Sequence, residues 1–360
     1  MKFKQVLGSA VALGLLLLGT AYVFRAELSV QVAKRVVAQR MSSDVLAGLP
    51  DGLHLGLCGA GSPMPDDLRM GPCTVVVAGQ RLFVFDAGNG SSRNIGKMGF
   101  VQGQIEAIFL THFHSDHIDG LGELMLQRWI SSGNASPVPV HGPTGVETVV
   151  NGLLQTYSLD RGYRVAHHGE AVLPSSGFGA QVKSYEPPAA DQRRVLLKDA
   201  DLEIAAFLVD HDPVTPSVGY RISYKGRSIV LSGDTVQNAA VAREAANVDV
   251  LVHEAMSTPL MALLKEGAAR AGRPVVETLM GDILNYHATP EQAAQTAQTA
   301  QVGFLLFNHI APPLPPLPGL EKAFLGQAPQ HYQGRMKIGR DGDFISLPTG
   351  STVIQLGNRF

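Results

Sequence analysis

The segment Thr111-His112-Phe113-His114-Ser115-Asp116-His117 constrains this chain more than any other. Three histidines and one aspartate fall within six positions, directly after an apolar run containing Ile105, Ala107, Ile108, Phe109 and Leu110. Such a run reads as a buried strand. In extended chain, residues two apart point the same way, so His112 and His114 can grip one metal ion. A turn into helix sends Asp116 and His117 elsewhere, where they can hold a second ion. Imidazole nitrogen and carboxylate oxygen are the usual ligands of zinc and similar divalent metals. A lone histidine here would be structural; four ligand-type side chains at this spacing are hard to explain that way.

The same style recurs down the chain. Arg81 to Phe85 reads as a strand ending at Asp86-Ala87-Gly88, and Leu121 to Ile130 as a helix. Leu202 to Val209 leads to His211, and Gly219 to Tyr224 pairs with Ser228 to Leu231 across Lys225-Gly226. The latter strand ends at Gly233-Asp234-Thr235, Val248 to Val252 at His253-Glu254, and Phe304 to Phe307 at Asn308-His309. Thr289-Pro290-Glu291-Gln292 carries a helix start, with a Thr cap, Pro at the first position and Gln closing a capping box. His287 therefore stands just outside a helix N-terminus. Ligand-type residues after apolar strands fit a layered α/β protein, where sites gather at strand ends. Residues 311–318 (Ala-Pro-Pro-Leu-Pro-Pro-Leu-Pro) read as a stiff loop near the site.

The N-terminus follows a different rule. Val6 to Phe24 is 19 residues of nearly unbroken apolar sequence behind Lys2 and Lys4. Residues 1–25 are expected to be a secretory signal or an uncleaved membrane anchor, 26–50 a helical connector, and 51–360 the catalytic domain. Either form of the leader exports the body, to the periplasm or to a membrane tether. Residues 1–40 hold six basic side chains and one acidic one, so the formal charge of −2 conceals a body at −7. An acidic body is a poor polyanion binder, because nucleic-acid affinity comes mostly from Lys and Arg at phosphates. Cys58 and Cys73 form either a disulfide, which export favours, or two free buried thiols. A bridge would close a loop of about 15 residues and contribute roughly 3 kcal/mol.

As an ordered series, these residues resemble the metallo-β-lactamase superfamily, and within it the group containing ribonuclease Z and the zinc-dependent arylsulfatases. The resemblance runs from about Leu55 to the C-terminus. It rests on Gly59-Ala60-Gly61-Ser62-Pro63, Asp86-Ala87-Gly88, the His112 to His117 motif, and Asp210-His211 upstream of Ser217-Val218-Gly219-Tyr220-Arg221. Gly233-Asp234-Thr235, His253-Glu254-Ala255, His287-Ala288-Thr289 and His309 complete it. It implies a four-layer αββα sandwich, two mixed β-sheets flanked by helices. It also implies two divalent ions, zinc by expectation. One would be held by His112, His114 and His211 and the other by Asp116, His117 and His309, with Asp234 bridging. A hydroxide between the ions would attack the substrate, assisted by Asp116. His287, oriented by Glu254, would protonate the leaving group.

Other residues have weaker roles. Asp86 can orient a ligating histidine. His253 is expected to pack or hydrogen-bond, and His141, His167, His168 and His331 are read as loop or surface residues. Trp129 and Tyr157 either line the pocket or belong to the core. Arg93 either meets an anionic substrate or is solvated.

The ribonucleases of this group carry a long basic arm between the Gly-Tyr-Arg strand and the Gly-Asp-Thr motif. Here only residues 222–232 lie between them, and His309 is followed by Ile310-Ala311-Pro312-Pro313. With the acidic body and the leader, this argues against transfer-RNA processing. The expectation is an exported, arylsulfatase-like hydrolase of small anionic esters, acting alone or as a homodimer, with nucleic acid not a partner. Phosphodiesterase and ribonuclease Z-like endonuclease are the alternatives, ahead of a lactonase or lactamase. A non-catalytic binding protein is disfavoured because all seven expected ligands are present.

Overall fold

The computed structural model describes Gln5, Gly8, Leu15, residues 18–42 and residues 44–360. The chain divides into Met1–Val45 and Leu46–Phe360. In the first unit, Arg25–Ser42 is a helix with no buried residue. The apolar run Val6 to Phe24 lies for the most part outside the described residues. Among those described, no helix is long and apolar enough to cross a membrane.

The second unit is built on two sheets. In chain order the strands of the first are β1 (Gly52–Gly59), β2 (Cys73–Ala78), β3 (Arg81–Phe85), β4 (Ile105–Phe109), β5 (Val138–Pro143) and β6 (Ala180–Tyr185). The second contains β7 (Arg193–Lys198), β8 (Leu202–Leu208), β9 (Val218–Tyr224), β10 (Arg227–Leu231), β11 (Val250–Met256), β12 (Phe304–Ala311) and β13 (Arg335–Ile338). The chain then returns to the first sheet with β14 (Asp343–Pro348) and β15 (Gln355–Asn358). Spatial order is β15-β14-β1-β2-β3-β4-β5-β6 in one sheet and β13-β12-β11-β10-β9-β8-β7 in the other. Both sheets are mixed. β3 to β6 run parallel, as do β10 to β13, and the remaining pairs are antiparallel.

Alternation along each strand builds the core between the sheets. Leu53, Leu55 and Leu57 of β1 and Phe83 and Phe85 of β3 face Ile204 and Ala206 of β8 and Tyr220 and Ile222 of β9. Phe85 stacks on Phe109 at 4.9 Å. The opposite face of the second sheet, carrying Val230, Leu251 and Leu305, is covered by helices Ala239–Glu244 and Pro290–Thr299. The latter presents only small side chains there (Ala293, Ala294, Ala297), so it can lie close. Its capping box forms as the sequence predicts: Thr289 Oγ1 accepts from the Gln292 amide, and Gln292 Oε1 accepts from the Thr289 amide. The result is the αββα layering, with two mixed sheets flanked by helices.

Two aromatic readings resolve toward the core. Trp129 is fully buried, packs edge-on against Phe178 at 5.3 Å and donates its indole N–H to the Pro174 carbonyl. Tyr157 packs beside it. His141 corrects an expectation: it is neither loop nor surface but lies in β5, half-buried, with its ring stacked on Phe109 at 4.6 Å. A strand ending next to an aromatic layer buries whatever side chain falls on that face. Burial, and then the nearby Lys183, push its pKa from 6.5 down to about 4. Below pH 6.5 the unfolded chain takes up a proton that the folded chain refuses until near pH 4. Stability is therefore lost as pH falls through that window. Allowing for its partial exposure, the loss attributable to His141 is about 1 kcal/mol by pH 5. A His141→Phe variant is expected to lose that much less stability between pH 7 and pH 5 in urea titrations. Parallel losses in the two proteins would count against the assignment.

Candidate metal centre

The parallel strands β4, β10, β11 and β12 bring their C-terminal ends together, and the ligand-type residues stand there. After β4 the chain stays extended through His112 and His114, then turns into the short helix Ser115–Ile118, which carries Asp116 and His117. Asp234 follows β10 through Gly233, whose φ is +64°. A Cβ at Gly233 would also approach the Val218 carbonyl oxygen to 2.6 Å, so the turn requires glycine. Glu254 and His309 lie within strands rather than beyond them. β11 and β12 slip register between Glu254 and Ala255, leaving His309 as the extra residue, with φ of +46°. The bulge aims its side chain into the cluster.

Asp234 is the hub. Its Oδ2 lies 3.2 Å from His309 Nε2, 3.3 Å from His117 Nε2, and 3.9 Å from both His112 Nε2 and His211 Nε2. Asp116 Oδ2 lies 3.2 Å from His309 Nε2 and 3.6 Å from His117 Nε2. His112 Nε2 and His114 Nδ1 are 3.1 Å apart. The seven side chains thus form two touching groups. One is His112, His114, His211 and Asp234; the other is Asp116, His117 and His309. The ligand atoms within each group lie within 4.8 Å of one another.

The far nitrogens of the rings are tied down. Thr111 donates its amide to Asp86 Oδ1 at 2.8 Å and its hydroxyl to Asp86 Oδ2 at 2.9 Å. Asp86 Oδ2 in turn accepts from His117 Nδ1 at 2.9 Å, and Thr111 Oγ1 accepts from His112 Nδ1 at 3.0 Å. His211 Nδ1 donates to the Tyr286 carbonyl at 2.9 Å. These bonds present the Nε2 lone pairs to the centre.

Among the described residues, four of the inward atoms lack hydrogen-bond partners. Both Asp234 oxygens and the Nε2 atoms of His117 and His211 are fully buried and unpaired. Buried lone pairs left unpaired are costly, and a divalent cation among them satisfies all of them at once. The electrostatics agree. Burial pushes His112, His114 and His211 below the ordinary histidine range. Burial also works against charge on His117, but the Asp234, Asp86 and Asp116 carboxylates outweigh it and raise its pKa well above the ordinary range. The field at the centre favours positive charge.

Glu254 and His287 meet beside this cluster. Glu254 Oε1 accepts from His287 Nδ1 at 2.9 Å, from the Thr235 amide at 3.0 Å and from the Ala288 amide at 3.2 Å. Burial opposes protonation of His287, yet Glu254 and Asp234 lift its pKa to about 9. His253 points away and hydrogen-bonds the Glu254 carbonyl. A cavity of about 210 Å³ lies over the cluster, lined in part by His114, Asp116, Asp234, His287 and His309. Arg93 does not line it; it is exposed and 3.9 Å from Glu123. Tyr286, Met64 and Thr111 were missed from the sequence. Tyr286 had one signal, its place beside His287.

The loop after β1 closes one side. Cys58 and Cys73 are joined in a disulfide. Asp341 accepts the amides of Ala60 at 3.0 Å and Met70 at 2.9 Å. Behind it, Gly88 abuts the metal motif: a Cβ there would lie 2.3 Å from the Asp116 carbonyl oxygen and 2.4 Å from the Gly71 carbonyl carbon. Gly88→Ala is therefore expected to lower stability by about 1–3 kcal/mol and to reduce metal uptake. An unchanged melting temperature would show that the packing yields.

The family model described as Metallo-beta-lactamase superfamily matches residues 66–273. A protein of Mycolicibacterium gilvum (strain PYR-GCK) named Ribonuclease Z is 36% identical over 303 residues, covering 83% of this chain and 97% of the relative. One of the same name from Mycobacterium bovis (strain BCG / Pasteur 1173P2) is 34% identical over 292 residues, covering 80% and 96%. Among solved structures, the short form of human tRNase Z aligns with a TM-score of 0.58 at 22% identity, covering 82% of this chain and 99% of that one. The fold protein YhfI of Bacillus subtilis aligns equally well at 17% identity, with the same coverage.

These relatives overturn two expectations, the arylsulfatase-like hydrolysis of small anionic esters and the exclusion of nucleic acid as a partner. Charge summed over a whole body says little about the field in one groove. The tight Lys225-Gly226 turn, where the arm would be inserted, lies at the opposite end of β10 from Asp234. With a family match over more than half its length, close relatives spanning nearly end to end, and the αββα layering that carries these ligands, the chain belongs to the metallo-beta-lactamase superfamily of hydrolases.

Proposed function

We propose that this protein is a ribonuclease Z-type endonuclease that cuts phosphodiester bonds in RNA, a transfer-RNA precursor foremost, using two zinc ions. The observation that carries the reading is the gathering of six ligand side chains, all but His114 buried, around Asp234, in a chain that spans nearly the whole of relatives named Ribonuclease Z. His112, His114 and His211 would hold one ion, Asp116, His117 and His309 the other, with Asp234 shared. Ions so placed make a water nucleophilic near neutral pH and offset charge building on the phosphoryl oxygens.

The protein's own part is positional. Asp86, Thr111 and the Tyr286 carbonyl hold three of the rings in the tautomer that leaves Nε2 free. Glu254 fixes His287 through Nδ1, so the proton on Nε2 can pass to the departing ribose oxygen. The Cys58–Cys73 disulfide supports an oxidising working compartment, so unstructured RNA belongs in the substrate panel beside the precursor.

The deciding assay uses zinc-loaded full-length protein with a transfer-RNA precursor, unstructured RNA and bis-nitrophenyl phosphate. Cleavage of RNA at defined positions is expected. Turnover of the nitrophenyl ester with both RNAs left intact would favour a small-molecule phosphodiesterase instead.

A further inference from the structure

The cavity over the metal centre is polar only in part. The rest of its lining is apolar, chiefly Met64, Met256, Ile283 and Tyr286, backed by a small cluster that includes Met261 and Met280. A bare phosphodiester has no use for such a wall. In RNA, the flat, apolar-faced group attached nearest to a scissile phosphate is a nucleobase. Aromatic side chains bind bases of any identity by stacking, and thioethers lie well against aromatic rings.

The surroundings narrow the choice. On the other side of Met64 is a second cavity, of about 310 Å³, lined by Asp66, Asp67, Asp116 and Asp119. Among the described residues, its one cation, Arg69, is bound to Asp66 at 3.2 Å and to the Gly339 carbonyl at 2.8 Å. Asp66, Asp67 and Asp119 make that side unfavourable for a polyanion, which favours the apolar side as the seat of a nucleotide. Tyr286 is a rigid platform there. Its carbonyl is tied to His211, and its ring centroid lies 4.8 Å from that of His211 and 4.7 Å from that of His287. Because the tie runs through the backbone, the side chain can be changed while His211 keeps its partner.

We infer that this wall is a base-binding subsite, in which the nucleobase of the nucleotide joined to the scissile phosphate stacks on Tyr286, with Met64, Met256 and Ile283 completing the seat. The inference rests on the RNA reading of the centre. It is tested by calorimetric binding of AMP and of ribose 5-phosphate to the zinc-loaded full chain. A stacked base is worth roughly 5- to 150-fold in affinity. AMP is therefore expected to bind at least about tenfold more tightly than the sugar phosphate. The preference should vanish in Tyr286→Ala at unchanged zinc content and persist in Tyr286→Phe. Equal binding of the two ligands by the parent protein, or a preference that survives Tyr286→Ala, overturns the subsite. The two readings fail separately. AMP preference with RNA left uncut keeps the subsite and removes the ribonuclease, whereas RNA cleavage with no AMP preference does the reverse.

Discussion

Asp234→Ala is expected to abolish binding of both zinc ions and to lower RNA cleavage by at least roughly a thousandfold, about 4 kcal/mol of transition-state stabilisation. The carboxylate approaches the inward nitrogens of four histidines within 3.9 Å. Without it, two dications about 3.5–4 Å apart would face each other with little between them to offset their repulsion. The effect should be read first as metal content by elemental analysis and then as rate. Zinc is expected to raise the melting temperature of the parent protein but not of the variant, since a ligand that binds only the folded state stabilises it. Two equivalents of zinc in the purified variant would remove Asp234 from its bridging place.

His287→Ala should behave differently. Zinc content is expected to stay at the parent level, while RNA cleavage falls about 10²- to 10⁴-fold, the usual contribution of a positioned acid. Nitrophenyl phosphodiesters need little protonation of their leaving group and should suffer much less. Glu254→Gln should mimic the change in milder form, because the amide cannot hold the imidazole as the carboxylate does at 2.9 Å. Equal losses on RNA and nitrophenyl substrates would make His287 a positioning residue rather than the proton donor.

These residues could be found without coordinates because each sits where a local rule speaks. His112 to His117 follow an apolar run, Asp234 follows a hairpin strand, and Thr289 to Gln292 spell out a helix start. The helix Leu121–Ile130 and the turn at Lys225-Gly226 were legible for the same reason. What stayed hidden depends on long-range packing. The order of strands in the two sheets is not written in any one strand. His309 reads as lying past the end of a strand, yet it is a bulge within β12, because register is set by the neighbour. His141 reads as surface until Phe109 is placed beside it. Tyr286 enters the centre only through the packing of the helical segment before it. The substrate class was misjudged for a related reason: net charge averages over the whole body, whereas a substrate meets only the few residues around the cavity.

Between Met256 and Ala288 the chain makes an excursion through helices Thr258–Arg270 and Pro274–Asp282, then returns to its starting point. The Met256 amide donates to the Ala288 carbonyl at 2.8 Å, and the Ser257 amide to that of Ala311 at 2.8 Å, so the base of the excursion is clamped. Lengthening a loop whose ends are already joined costs little, roughly 0.6 kcal/mol per doubling. A gene could therefore exchange these two helices and change the wall that meets the substrate, provided the turn after them stays, because the Tyr286 carbonyl there holds His211 and His287 is held by Glu254.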